Sequence, residues 1–500
     1  MAQPTPHTRL AQKNARFCLE RLRQLLPFAL FYSLGLLHFI ALLPDAPTDL
    51  MRIDDWRYAH YYYSVWQKAL VQGVFPFQVS PILQPTPHFW AIPETIFSPQ
   101  LALLPFVSLA NFACFNMLFQ YTLGFVGTYM LRRYWDWSLP VWAIFALLYH
   151  FNGFAVAHLA VGHFAIWGGY CLLPWVIYFL CRILESTSPC YDNRAVLGLA
   201  GILVAIYCQG AFHVYLWCAW LLVIIALFRH EYRYQLAQAL LWSIALLAFR
   251  LSPTLWAFKD QTSFQFVGGF PTLSHWWAGL TQVQPFEQPA ISTYFGHLGW
   301  WELDLYIDLS GALFLLVFLV IPLRAWVAIL LSSDTAGEAL TCQARIARMF
   351  DLLRFPLLVF SLLSFSYCYG AIAKLPIPLL HSERVSTRFF SVALVWAMVL
   401  ASGHCQVLLT RLQHTRYRQA AYGLLGIWGI VIAVSLLHHS LVWRINHIAA
   451  FYPDAPAPTA YQIVPPDDYI YIYFAWTGIG ISIFAAAIYI ARWRRARVHY

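Results

Sequence analysis

The sequence predicts an all-α, polytopic transmembrane helix bundle of about twelve spans with two large extracytoplasmic loops. Three observations carry that prediction. Of 500 residues, 60% are apolar and only 11% charged, against about 25% charged in ordinary soluble domains. The mean hydropathy of +0.59 is unevenly distributed, because long apolar runs alternate with short segments that hold most of the charge, as bilayer crossings joined by loops would. The basic residues fall mainly between apolar runs, so the net charge of +9 reads as membrane topology rather than as the single basic face of a nucleic-acid binder. A soluble single-core enzyme is excluded.

In chain order, residues 1–25 form a basic N-terminal arm. The first apolar run follows it with no small-residue cleavage site at its end, so that run is expected to remain as the first span rather than be cleaved as a signal peptide. Runs of about 20 apolar residues suffice to cross a bilayer, and twelve are centred on residues 26–43, 113–131, 139–157, 165–183, 196–212, 213–228, 235–252, 308–323, 355–371, 389–408, 419–437 and 470–491. With the N-terminus inside, the inner segments hold 22 of the 31 basic residues, while the outer segments hold 14 of the 22 acidic ones. Lys and Arg concentrate on the cytoplasmic side. Both termini are therefore expected in the cytoplasm, with a single transmembrane domain over 26–491 and a basic tail over 492–500. The ten Cys show no CxxC spacing and read as small apolar residues of the spans.

Two outer loops are long, 44–98 and 253–307, and both are rich in Trp, Tyr, Phe and Pro rather than in linker residues. They are expected to fold onto the membrane surface. In the first, YAHYYYSVWQKALVQG predicts an amphipathic interfacial helix ending at Gly73, followed by Pro-punctuated extended chain. No internal repeat or separate soluble domain is evident.

The segment TDLMRIDDWRYAHYY sets Asp54 and Asp55 just beyond the first span, with Arg52 and Arg57 alongside. Adjacent carboxylates there serve as general base, as metal ligand, or as a solvated pair neutralised by the two Arg residues, and the local residues leave these alternatives open. His158 and His163 flank Gly162 in HLAVGHF, and His213 follows Gln209 and Gly210 at the next outer turn. Their five-residue spacing is not that of a helical zinc pair, so His163 is a candidate for hydrogen bonding to substrate or an interfacial residue satisfied locally. Glu302 and Asp304 lie in WWELDLYID, where carboxylates beside aromatics suit either a sugar site or an interfacial belt. Glu94, in WAIPETIFSP, reads as an ordinary exposed loop carboxylate.

Read together, Asp54-Asp55, KALVQGVFPF, IFSPQLALLP, FNGFAVAHLAVGHFAIWGGYCLLPW, YCQGAFHVYLW, FRLSPTLWAF, WWELDLYIDLSGALFLL and HSERVSTRFF resemble the GT-C superfamily of polytopic glycosyltransferases, and within it the YfhO-like membrane proteins. The resemblance runs over roughly residues 26–400 in short pieces, and no WWDxG-type oligosaccharyltransferase motif is present. It implies a GT-C-like fold, a catalytic Asp in the first outer loop, a polyprenyl-phosphate-linked sugar as donor, and an extracytoplasmic glycan, lipid or protein as acceptor. By position, Asp54 or Asp55 takes that role, one as base and the other orienting it or helping to hold a divalent cation, Mg or Mn. A lipid-phosphate donor needs cations near the surface. Arg384 and Arg388, four apart, are expected on one face of a helix entering the tenth span, where they bind phosphate or pair internally, Arg384 with Glu383 or with a carboxylate of the second long loop.

A transporter or flippase of a lipid-linked or polar substrate is the rival class, since twelve spans suit a carrier too. Carriers place ionisable groups or broken helices near the bilayer midplane, often in two related halves; here the carboxylates gather in the long loops. A non-catalytic membrane protein of envelope assembly would keep the spans without needing either Asp. No Gly-rich phosphate loop precedes a helix, which disfavours a nucleotide donor. The expectation is thus a multi-pass enzyme of the inner (cytoplasmic) membrane whose first long loop packs under the second to form an outward-facing cavity, with the donor lipid entering from the bilayer and no nucleic-acid partner.

Overall fold

The structure is a computed structural model that describes residues 25–40, 42, 55–81, 88–185, 193–259, 266–283, 291–293, 295–319, 337–373, 383–413, 415–448 and 461–498. It is a helical membrane protein. Among the described residues, six helices are long and apolar enough to cross a bilayer, namely Leu109–Tyr134, Leu139–Ala160, Phe164–Glu185, Ser386–Leu412, Arg418–Asn446 and Tyr469–Arg495. A seventh crossing results if Phe212–Phe228 and His230–Leu246, bent by 119°, count as one broken span. Shorter apolar helices, Leu25–Ile40, Asn193–Cys208 and Asp308–Leu319, occupy three more of the expected positions.

The count falls short of twelve because three apolar helices are shorter than a span, one pair is bent and one expected span is divided, and breaks also interrupt crossings that are counted whole. The run at 139–157 is two helices, α4 (Leu139–His150) and α5 (Gly153–Ala160), after α1 (Leu25–Ile40), α2 (Trp56–Gln72) and α3 (Leu109–Trp135). Asn152 caps α5 by accepting from the Ala155 amide at 3.0 Å, a residue type suited to restarting a helix. Next come α6 (Phe164–Cys171), α7 (Leu173–Glu185), α8 (Asn193–Cys208), α9 (Phe212–Phe228), α10 (Arg233–Leu246), α11 (Ala248–Ala257), α12 (Leu273–Thr281) and α13 (Asp308–Leu319). The expected span at 355–371 is divided between α14 (Gly337–Leu363) and α15 (Ser366–Ile372). At that break Phe270 donates its amide to Ser364 O at 3.0 Å and accepts from the Ser366 amide at 3.1 Å, so the second long loop satisfies backbone groups that the interruption frees. The last helices are α16 (Phe389–Leu412), α17 (Arg418–Trp443) and α18 (Tyr469–Val498).

Burial separates centre from periphery. The apolar stretch of α16 is 78% buried, whereas those of α17 and α18 are 17% buried and expose Leu424, Ile427, Val434, Ile481, Ile483 and Phe484. An apolar surface on that scale belongs against lipid. The core is aromatic, with Trp56, Trp90, Trp137, Trp142, Trp167, Trp217 and Trp396 fully buried.

The first long loop is ordered around α2, which ends at Gly73 with φ 66°, a left-handed stop that glycine adopts without penalty. Strand β1 (Gln78–Pro81) then pairs antiparallel with a strand near the chain's end (Tyr461–Val464), Gln78 opposite Val464. In the second long loop, β2 (Ile291–Ser292) and β3 (His297–Leu298) form a two-residue antiparallel ladder; the strand at Tyr461–Val464 is β4. The first loop is clamped from below by Arg250 of α11, fully buried, which donates to Trp90 O at 2.6 Å, Ile92 O at 2.6 Å and Thr95 Oγ1 at 2.8 Å.

Candidate active site between the two long loops

Two helix-connecting turns carry the site, and each uses a glycine in the left-handed region. In Val161-Gly162-His163, Gly162 has φ 84°, and a Cβ added there would lie 2.2 Å from the Trp56 backbone nitrogen. The turn therefore abuts the start of α2. Asp55 donates its amide to Val161 O at 3.1 Å, and the Trp56 indole donates to Leu159 O at 3.0 Å. These contacts bring the Asp55 carboxylate to 2.8 Å from His163 Nε2. Gly210, with φ 81°, does the same for the later part of the first loop, since a Cβ there would meet Glu94 O at 2.2 Å. Phe97 N donates to Cys208 O at 2.7 Å beside it, and Glu94 comes to 3.9 Å from His213.

The second long loop closes the opposite wall. Its turn Trp300–Glu302 points Glu302 inward, where Arg388 meets it in a fork, Nε to Oε2 at 2.8 Å and Nη2 to Oε1 at 2.5 Å. The other edge of Arg388 lies 3.6 Å from Glu383 Oε1. Glu383 Oε2 accepts from the Trp217 indole at 2.7 Å and sits 3.1 Å from His213 Nδ1. His158, buried, lies 3.8 Å from Glu302. An unbroken series of polar contacts thus runs Glu302, Arg388, Glu383, His213, Glu94 around one wall, with Asp55 and His163 on the other.

Between them is a cavity of about 410 Å³, lined by Asp55, Tyr58, Tyr62, Glu94, His163, Gln209, His213, Trp301, Glu302, Arg384 and Arg388 among others. That volume lies in the range of small-molecule sites, and a mostly apolar, aromatic lining with a few convergent polar groups is their usual composition. Deeper polar contacts brace the floor, where the Gln100 amide donates to Asn116 Oδ1 and Gln209 Oε1, both at 2.9 Å.

Electrostatics divide the site in two. Burial alone would push the Glu302 carboxyl up, but the Arg388 guanidinium, with His163 and His158 nearby, more than offsets it and holds Glu302 down to about 2. Glu383 is likewise lowered, its burial outweighed by His213, Arg388 and the Trp217 indole. Both are fixed anions. Asp55 and Glu94 are different, with side chains 44% and 52% exposed and open to the cavity. Burial and the neighbouring Glu94 carboxylate push the Tyr62 phenol above its ordinary range.

Set against the sequence, Asp55, His163, Glu302, Arg384 and Arg388 come together around one cavity. Asp54 lies outside the described residues. Asp304 is placed elsewhere. It is buried in the wall, accepting from the Trp443 indole at 2.8 Å and facing His439 Nε2 at 2.9 Å, so it anchors the second loop to α17 and does not line the cavity. The two Arg residues do not share a helical face, because α16 begins only at Phe389. Arg384 stands exposed ahead of the short turn Ser386–Arg388. It is Arg388 that pairs internally, with Glu302 of the second loop as well as with Glu383. Glu94 is no ordinary loop carboxylate, since it lines the cavity. Its signal was the shared local pattern of HLAVGHF and YCQGAFH, in each of which a glycine lets a turn approach the first loop.

Among the described residues no three His, Cys, Asp or Glu side chains converge as a metal site would require, and Asp55 is engaged by His163. No protein-family model, curated protein or solved structure matches the chain.

Proposed function

We propose that this membrane protein is a glycosyltransferase of the GT-C type that transfers a sugar from a polyprenyl-phosphate donor to an acceptor hydroxyl, with Asp55 as general base. One observation carries the reading: an accessible carboxylate, oriented by a histidine at 2.8 Å, at the wall of an aromatic cavity of substrate size. In the step, the acceptor oxygen bonds to the sugar's anomeric carbon as the bond from that carbon to the phosphate oxygen breaks. The acceptor's proton passes to Asp55, and the lipid phosphate leaves with the electron pair. Arg384, exposed on the cavity wall and in no ion pair with a described carboxylate, is the cation for that phosphate. Tyr58, Tyr62 and Trp301 offer rings for the sugar's apolar face. The charge bias of the sequence supports an inner-membrane location with cytoplasmic termini, which sets this chemistry on the outer face.

The test is transfer of radiolabelled sugar from a polyprenyl-phosphate donor pool in membranes carrying equal amounts of inserted wild type, Asp54→Asn or Asp55→Asn. Loss of a general base removes about 10² to 10⁴ in rate, and that loss is expected for Asp55→Asn. A wild type that transfers nothing from a broad donor pool, or an Asp55→Asn variant as active as wild type, would refute the reading.

A further inference from the structure

A second cavity shares no lining residue with the first, and nothing in the proposed chemistry uses it. It measures about 200 Å³ and is lined by Asn193, Val196 and Leu197 of α8, Gln238 and Trp242 of α10, and Arg492 and Arg495 of α18. Its construction follows from α18. That helix presents Ile481, Ile483, Phe484 and Ile490 outward, as a lipid-facing helix does, and then turns basic at Arg492, Arg494 and Arg495. The change from apolar to basic marks the level where a membrane meets water.

At that level the wall is rigid. The Tyr489 hydroxyl donates to Leu197 O at 2.8 Å, its ring lies 6.2 Å from that of Trp242 and it stacks on Trp493 at an interplanar angle of 12°. The Arg492 guanidinium is 5.3 Å from the centre of the Trp242 ring, which orients it toward the pocket. Arg492 and Arg495 are three apart and so share one face of α18. Among the described residues no carboxylate lines the cavity and neither Arg forms an ion pair. Two like charges held over one pocket repel, and an anion seated between them relieves that repulsion.

The geometry points to a binding site for the phosphodiester of an anionic phospholipid, with Arg492 and Arg495 on the phosphate, Asn193 and Gln238 beside the headgroup hydroxyls, and the acyl chains along the exposed apolar face of α18. Basic pockets between transmembrane helices recognise lipid headgroups in this way. The proposal is independent of the glycosyltransferase reading, since it shares no residue with that site.

The full chain is placed in nanodiscs of equal parts phosphatidylcholine and phosphatidylglycerol, and lipid retained after release into detergent is counted by native mass spectrometry. Wild type is expected to keep phosphatidylglycerol selectively. The Arg492→Gln/Arg495→Gln variant is expected to lose about thirtyfold in that selectivity, taking each basic group near the surface at its usual worth. Arg494→Gln changes net charge by the same amount per residue on the same helix but lies off the cavity, and is expected to retain it. Single Arg495→Gln, checked for monodispersity, serves if the double variant is not recovered folded, and is expected to lose about fivefold. Unchanged selectivity in the pocket variants would overturn the proposal. So would equal loss in Arg494→Gln, which would mean diffuse surface charge. Complete displacement of the lipid by millimolar inorganic phosphate would also overturn it, by making the site one for free phosphate.

Discussion

Gly162 offers the sharpest test of how the site is assembled. Replacing it with Ala imposes two separable costs. The first is backbone strain, because φ 84° lies where an L side chain is disfavoured by about 1 to 2 kcal/mol. The second is contact. The new Cβ would stand 2.2 Å from the Trp56 nitrogen, where ordinary contact begins at 3.4 Å, so the start of α2 must retreat by roughly 1.2 Å in a close-packed wall. Asp55 is adjacent to Trp56, and the same displacement would stretch its 2.8 Å contact with His163 to about 4 Å, beyond hydrogen bonding. A 1 Å misplacement of a catalytic group costs about 10²-fold in rate. Gly73→Ala supplies the control: φ is 66° but nothing lies within 4 Å of the added Cβ, so strain comes without displacement. Sugar transfer and thermal unfolding in detergent are measured on both variants. Both should unfold earlier, Gly162→Ala by more because it bears the contact cost as well as the strain, while only Gly162→Ala should lose about a hundredfold in transfer. Transfer by Gly162→Ala equal to that of Gly73→Ala would refute the claim that this turn positions the base.

Glu302→Gln leaves Arg388 buried against Glu383 alone and should cost about 3 kcal/mol, read as a lowered unfolding midpoint. The same carboxyl sets an acid limit. Its value falls from the usual 4.5 to about 2, so the stability it contributes is fully present above 4.5 and is lost as pH falls through about 2; wild type should shed about 3 kcal/mol across that window, and Glu302→Gln should lack this component in acid-unfolding curves. Asp304→Asn should lower stability with little change in donor KM, because the residue holds the Trp443 indole and His439 outside the cavity; a selective rise in KM would place it in substrate binding after all. Arg384→Gln should raise donor KM about tenfold or more with the unfolding midpoint unchanged, since the side chain is exposed and a charge-assisted phosphate contact is worth about 1.5 to 3 kcal/mol. Arg388→Gln should do the reverse and chiefly unfold the protein.

What could be read from the sequence was local. The helix ending at Gly73 was legible because a run of aromatic and apolar positions stops at a residue suited to a left-handed cap. The crossing at Leu109–Tyr134 was legible because an apolar run of spanning length lies at 113–131. Breaks inside apolar runs were not, since hydropathy cannot distinguish a continuous helix from one interrupted at 364–365 when the freed groups are met by Phe270, nearly a hundred residues earlier. Distance along the chain hid the rest. Asp304 sits beside promising aromatics, yet its partners are His439 and Trp443, more than 130 residues away. Glu94 looked ordinary because its meaning lies in the Gly210 turn it packs against.

The charge arrangement explains why the base is assigned to Asp55 and not to a more buried carboxylate. The cavity lining holds Asp55, Glu94 and Glu302, with Glu383 buried behind Arg388, against Arg384 and Arg388, an excess of negative charge that would resist an incoming phosphate if spread evenly. It is not spread evenly. Arg388 is shared by Glu302 and Glu383, whose carboxyls are held low, so the inner wall is satisfied and its anions are weak acceptors of a proton. The half-exposed pair, Asp55 and Glu94, each faces one histidine, His163 and His213. A strongly perturbed carboxyl is often the first candidate for catalysis, but the direction of Glu302's perturbation makes it structural. In the proposed reaction proton transfer falls to the accessible wall, where of the two carboxylates Asp55 has its histidine at full hydrogen-bond distance, 2.8 Å against 3.9 Å for Glu94.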